Sequence, residues 1–247
     1  MIDVADTEES LRARAEVAAG RLPARYAERW KVPFFERVQP AIAPGIAILD
    51  VGSGRTPTIP PDQRPPDCRY VGLDISATEL SAAPEGSYDE KVVGDLTKRD
   101  IRLENRFDLI VSWQVLEHVV SLESALENLH AYLRPGGRLV SQLSGSFAVF
   151  ALMSRIIPHR VSVRLMERLL GIEPETKFQT QFDRCYHRAL QRLLSDWQAH
   201  EIVPRYNSGG YFAFSGSLLR LYLVYENWLA RTNRRNLATH YLIVGGK

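Results

Sequence analysis

The stretch Ala47-Ile48-Leu49-Asp50-Val51-Gly52-Ser53-Gly54 is an apolar run that passes directly into an acid and a pair of glycines. Bounded by Pro44-Gly45 and Gly52, it reads as a short parallel strand buried on both faces, and such strands point their carboxyl ends at the ligand crevice of an open α/β sheet. Gly52 and Gly54 permit positive φ and let backbone approach a ligand where a Cβ would collide. A plain strand-to-loop turn uses the same residues, so the stretch gains meaning only from the strands C-terminal to it.

A dinucleotide fingerprint needs a third glycine and a helix whose N-terminus faces a pyrophosphate. Here the run is Gly52-Ser53-Gly54-Arg55-Thr56-Pro57, and Pro60, Pro61, Pro65 and Pro66 come after it, which disfavours a helix before the next strand. Asp50 would repel a pyrophosphate but could accept a hydrogen bond from the amino group of a zwitterionic, sulfonium-bearing ligand.

The second strand, Arg69-Tyr70-Val71-Gly72-Leu73-Asp74-Ile75, ends in an acid 24 positions after Asp50, where doubly wound nucleoside sites hold ribose hydroxyls. A third strand closes at Asp95-Leu96, and a fourth, Phe107-Asp108-Leu109-Ile110-Val111-Ser112, runs into Trp113-Gln114-Val115-Leu116-Glu117-His118. One such acid is as well read as a helix cap. An ordered series of polar strand ends is not.

On these segments, together with Leu133-Arg134-Pro135-Gly136-Gly137, the chain resembles the class I S-adenosylmethionine-dependent methyltransferases over about residues 45–145. The resemblance implies S-adenosyl-L-methionine as cofactor. It places the methionine part on Asp50 with Gly52 and Gly54, the ribose on Asp74, and the adenine on Asp95 with Leu96, with Ser53 and Ile75 beside them in the cofactor set. Ser112, Trp113 and Gln114, at the end of strand four, complete the implied cofactor set. Thr56 stands where many members carry a third glycine. The later segments Pro158-His159-Arg160, Leu169-Leu170-Gly171 and residues 178–184 are similar to bacterial methyltransferases associated with cell-surface polysaccharide or lipid-linked glycan genes.

The expected fold is therefore α/β, a Rossmann-like doubly wound seven-stranded sheet. N-terminal helices over 8–20 and 24–38 would form a cap across residues 1–40. The methyltransferase domain would fill 41–247, with helical insertions at about 145–182, after strand five and over the substrate side, and at about 216–235, before the last strand. A helix is predicted over 121–133 from Leu122, Ala125, Leu126, Leu129 and Leu133, and strands over 138–143, 201–205 and 240–244. The first insertion carries Phe147, Val149, Phe150, Leu152 and Met153 and then Arg155, Arg160, Arg164 and Arg168, ending at Gly171. The helix predicted over 216–231 is apolar on nearly every side. Packing on its own domain, a partner chain in a homodimer, or peripheral contact with a membrane would each account for it.

The chain has 247 residues, 45% of them hydrophobic, enough for one enzyme-sized domain, and a formal net charge of +2 that gives no argument for nucleic acid. Cys68 and Cys185 have neither disulfide nor metal spacing, the N-terminus lacks signal-peptide character, and no uncharged apolar run reaches bilayer length. A cytoplasmic location, at most peripheral to a membrane, is expected.

Sulfonium methyl transfer requires alignment of the acceptor and, for a hydroxyl, removal of a proton. His118, just after strand four, is the leading candidate base, with Tyr186 and His187 a second cluster and His159 a third. Glu117-His118 resembles the acidic-His segment of ubiquinone-pathway O-methyltransferases, where an acid three positions earlier joins a proposed metal site. Here that position is Gln114, a poorer ligand, so no tightly bound metal is expected. At the end of strand four stands Ser112-Trp113-Gln114-Val115, not the Asn/Asp-Pro-Pro-Tyr of many N-methyltransferases, and neither cysteine lies near it for covalent carbon methylation. The expectation is O-methylation of a small molecule, sugar or lipid-linked glycan. The alternatives are a noncatalytic S-adenosylmethionine-binding scaffold and an N- or C-methyltransferase.

Overall fold

A computed structural model describes residues 12–13, 16–17, 19–149, 151–152 and 180–247. Seven strands are present: β1 (Ala47–Val51), β2 (Arg69–Asp74), β3 (Glu90–Val93), β4 (Phe107–Trp113), β5 (Leu133–Ser144), β6 (Ala199–Arg205) and β7 (His240–Gly246). They form one sheet in the order β3-β2-β1-β4-β5-β7-β6. The pairs from β3 to β5 are parallel, and β7 runs antiparallel to both β5 and β6. Strand order reverses between β1 and β4, the point at which open α/β sheets leave a crevice beyond their carboxyl ends.

Both faces of the sheet are covered, as the unbroken apolar runs predict. On one face α1 (Val32–Val38) and α2 (Ala77–Ser81) bring Phe34, Phe35, Val38 and Leu80 against Ile48, Tyr70, Leu109, Val111, Val140 and Leu242. On the other, α3 (Leu122–Tyr132) and α4 (His187–Leu193) pack on Leu49, Val71, Ile110, Leu139 and Ile243. The helix expected over 121–133 is α3. Ser121 caps it by accepting from Ser124 N, and Leu122, Ala125, Leu126 and Leu129 are buried at helical spacing. Each of these leucines removed from water contributes roughly 1.5–3 kcal/mol.

Two expectations about elements change. The helix expected over 24–38 is a 3-10 turn at Ala24–Ala27 and then α1, because Pro33 has no N–H and its ring would strike the carbonyl one turn earlier in a continuous helix. The strand expected over 138–143 is longer: Leu133 already pairs with Phe107, the Pro135-Gly136-Gly137 segment shifts the register, and pairing resumes at Leu109 with Arg138. Between β1 and β2 the only regular element is a 3-10 turn at Pro61–Gln63, as the prolines predict. The helix expected over 8–20 and the insertion over 145–182, including His159 and the arginines at 155, 160, 164 and 168, fall mostly or wholly outside the described residues.

Helix α5 (Gly216–Arg231) precedes β7 and is clasped through a buried carboxylate. Glu226, with no exposed surface, accepts from Arg25 Nη2 and Tyr26 OH, each at 2.6 Å, from Ser208 N at 2.7 Å and from Tyr222 OH at 3.2 Å. This joins the N-terminal segment, the chain after β6 and α5 at one point. Removing one partner of a buried ion pair leaves the other charge uncompensated. Glu226→Ala is expected to cost about 3–5 kcal/mol in urea unfolding; a loss under about 1 kcal/mol would show that the clasp is not structural.

Candidate active site

The glycine turn, the β2 end and the loop after β4 meet at the β1–β4 crevice. Gly52 and Gly54 adopt φ of +70° and +51°. A Cβ on Gly52 would lie 2.4 Å from Val115 Cγ2, so the turn is packed directly against the loop after β4. A Cβ on Gly54 would lie 3.1 Å from Glu79 Cβ and 3.5 Å from Asp74 Oδ2. These close approaches account for glycine at both positions.

Asp50 is wholly buried, and both its oxygens are engaged. Oδ1 accepts from Thr58 Oγ1 at 2.7 Å, and Oδ2 accepts from Thr58 N and Tyr70 OH, each at 2.6 Å. Burial pushes its carboxyl above the ordinary range, against the lowering effect of hydrogen bonds from Tyr70 and Thr58. The Asp50 carboxylate, expected to meet a ligand amino group, holds the proline-rich loop.

The loop has a second support. Tyr88 OH bonds Ser53 Oγ at 2.6 Å and donates to Gly54 O at 2.9 Å. Its ring crosses β2 where a side chain at Gly72 would obstruct it, a Cβ there lying 2.7 Å from the ring. Arg64 stacks 3.5 Å from the Tyr70 ring centre and donates to the carbonyls of Ile59 and Ser87. Tyr88 is a support of the turn that the sequence did not reveal, since nothing local at positions 86–90 points to Ser53.

Asp74, 6% exposed, ends β2 and accepts from Ser76 N at 2.8 Å. Burial raises its carboxyl, and the Ser76 and Gly54 amides oppose the rise. Beside it Ile75 is 62% exposed, an apolar side chain left open at the end of a buried strand. Asp95 accepts from Thr97 N and Oγ1, and the first of these is the main cause of its lowered carboxyl. Leu96 is buried and its carbonyl accepts from Asn128 Nδ2.

The expected cofactor residues thus stand on four adjacent strand ends, those of β3, β2, β1 and β4. The open Ile75 face and the left-handed glycines fit a nucleoside with an amino-acid tail: Gly52 to Gly54 would hold the tail, Asp74 the ribose, and Ile75 with Asp95 and Leu96 the adenine.

Ser112 is buried with its hydroxyl unpaired among the described residues, and the Trp113 ring lies edge-on to Trp30 and Phe34. Gln114, at a left-handed φ of +58°, accepts from Ser144 Oγ at 2.8 Å through Oε1. Ser144 N donates to Glu117 Oε1 at 3.2 Å, so the last residue of β5 ties Gln114 to Glu117. Gln114 Nε2, Glu117 Oε2 and His118 Nδ1 are buried and lack hydrogen-bond partners among the described residues. Burial raises the Glu117 carboxyl, opposed by the His118 charge and by bonds from Ser144. The buried Tyr211 phenol is raised mainly by burial and further by the Glu117 charge.

The second candidate pair, Tyr186 and His187, stands at the start of α4. His187 begins α4, is 7% exposed, and takes its interactions from Gln191 and Arg235. Tyr186 lies against Phe147 at 5.3 Å. Their segment does touch the β4 loop through backbone, since Gln181 N and Phe182 N both donate to Glu117 O at 2.9 Å. Groups of three or more metal-ligating side chains are absent among the described residues.

The methyltransferase-domain family model matches residues 22–202. The chain belongs to the class I S-adenosylmethionine-dependent methyltransferases. It is 31% identical over 112 residues to a ubiquinone biosynthesis O-methyltransferase of Nitrobacter winogradskyi, covering 44% of this chain and 42% of that one. With the same-named protein of Rhodopseudomonas palustris strain BisA53 the identity is 27% over 159 residues, 63% of this chain and 61% of the other. The chain thus spans about half the length of these curated relatives. Among solved structures, phosphoethanolamine N-methyltransferase 2 of Haemonchus contortus with S-adenosyl-L-methionine superposes with a TM-score of 0.52 at 12% identity, over 88% of this chain and 52% of that one. That likeness shows the shared fold.

Asp74→Ala removes the one buried carboxylate at the β2 end. Calorimetric titration is expected to show S-adenosylhomocysteine binding at least about tenfold weaker, the loss of a charge-assisted hydrogen bond of about 1.5–3 kcal/mol. Unchanged affinity would remove Asp74 from the cofactor site.

Proposed function

We propose that this methyltransferase acts on a hydroxyl oxygen of a small molecule, with His118 as the proton acceptor. The observation that carries the reading is the set of three buried polar atoms without partners among the described residues on one turn, Gln114 Nε2, Glu117 Oε2 and His118 Nδ1, in a loop packed on the glycine turn. A buried polar atom without a partner costs free energy, and a hydroxyl between a donor and acceptors would relieve that cost.

S-adenosylmethionine, when bound, supplies a methyl on a sulfonium that is its own leaving group. Gly52, Gly54 and Asp74 hold the donor's end of the crevice, and Val115 packs the acceptor loop against it. Gln114 Nε2 donates to the acceptor oxygen and orients it. His118 takes the hydroxyl proton on Nδ1, beside the buried Glu117 side chain. The edge-packed Trp30 and Trp113 rings keep water from one side of the loop.

The relatives' printed name, an O-methyltransferase of ubiquinone biosynthesis, supports oxygen as the target and a small molecule as its carrier. A sugar or lipid-linked glycan, the direction of the later sequence segments, is one acceptor of that kind.

The test supplies trideuteromethyl-labelled S-adenosylmethionine and fractions of small-molecule extract to the purified protein, with mass spectrometry of the products. Labelled methyl ethers are expected, and His118→Ala is expected to slow turnover about 10²–10⁴-fold while leaving S-adenosylhomocysteine affinity within a few-fold. Label on nitrogen or carbon would overturn the oxygen assignment. A protein that binds S-adenosylhomocysteine but labels no fraction would favour the noncatalytic scaffold.

A further inference from the structure

Helix α5 turns Tyr222, Leu223, Glu226 and Leu229 inward. Its other side is apolar as well and open: Leu218 is 44% exposed, Leu221 70%, Val224 69% and Trp228 46%, and Phe214 just before the helix is 49% exposed. With Val149, Phe212, Tyr222 and Tyr225 these helix residues line a groove of about 530 Å³. A contiguous apolar surface of this kind marks an interaction site.

The charge around it selects the occupant. Across residues 206–240 the single acid is Glu226, which is buried and paired with Arg25. The charges that remain exposed along the helix and the turn after it, Arg220, Arg231, Arg234 and Arg235, are all positive. Arg234 lies 5.4 Å from the Trp228 ring, a cation beside an aromatic at the rim of the apolar face. A second copy of the helix laid on this face would bring arginines together with no acid to meet them. A surface of anionic headgroups over acyl chains satisfies both features, with leucine, valine and tryptophan entering the apolar boundary and arginine remaining at the phosphates. No helix among the described residues is long and apolar enough to cross a membrane, so the contact is one of lying on the surface.

We propose that the outward face of α5 docks the protein on anionic membrane surfaces. The docking is independent of which atom the enzyme methylates.

Flotation of the full chain with phosphatidylcholine vesicles, with and without phosphatidylglycerol, tests it. Binding is expected only with the anionic lipid, weakened by salt, and accompanied by a blue shift of tryptophan emission that Trp228→Phe abolishes. Leu221→Asp with Val224→Asp, both at exposed positions, is expected to reduce binding by about tenfold or more. Arg220→Glu with Arg231→Glu should do so by about fivefold or more for each arginine replaced. Circular dichroism and S-adenosylhomocysteine affinity should stay at wild-type values in both variants, so a failure here is separable from one of the methyl-transfer reading. Equal binding to neutral and anionic vesicles would overturn the proposal. So would no binding to either, or a concentration-dependent dimer that the same apolar substitutions dissolve.

Discussion

A carboxylate buried without exposed surface at the end of a central strand is tolerable only if hydrogen bonds replace its water, and the site is organised around meeting that requirement at Asp50. Thr58 and Tyr70 supply three donors, which fixes the proline-rich chain after β1 eight residues beyond the acid. Where a helix would hold a glycine turn through its own backbone, this chain uses side chains: Asp50 beneath, Tyr88 on Ser53 and Gly54, and Arg64 across the Tyr70 ring. The position of the turn against Asp74 on one side and Val115 on the other depends on those contacts.

That dependence links the two ends of the crevice, the proposed donor and acceptor sides. Gly52 touches Val115, Val115 belongs to the turn carrying Gln114, Glu117 and His118, and Ser144 at the end of β5 fixes that turn from the far side. A shift of the proline loop would therefore move the acceptor side too, because the contact at Gly52 leaves no slack for a Cβ.

Much of this was legible in the sequence where the signal is local. The glycine turn, the acids closing β2 and β3, the absence of a helix among five prolines and the span of α5 at Gly216–Arg231 come from punctuation and periodicity within a few residues of each other. What could not be read depends on strand order. Tyr70 reaches Asp50 because β2 lies beside β1, and Tyr88 reaches Ser53 by passing over Gly72; both are pairings across neighbouring chain segments. Asp50 illustrates the limit, since its place was evident but its partners were not, and those partners make it an anchor of the loop. The Tyr186 and His187 pair shows the converse: adjacency of two chemically able residues does not say which way a helix turns them. Helix α5 reads as apolar all round in sequence, and only the buried clasp at Glu226 decides which side faces in.

The claim on which the rest stands is that side chains, rather than a helix, hold the donor turn in its binding shape. Calorimetric titration of S-adenosylhomocysteine into wild type and Tyr88→Phe tests it, since the phenylalanine keeps the ring over Gly72 and removes only the hydroxyl that bonds Ser53 and Gly54. The account predicts binding weaker by about three- to tenfold or more, the value of one or two hydrogen bonds, with unfolding stability changed by no more than about 1.5 kcal/mol. Equal affinity in the two proteins would contradict it.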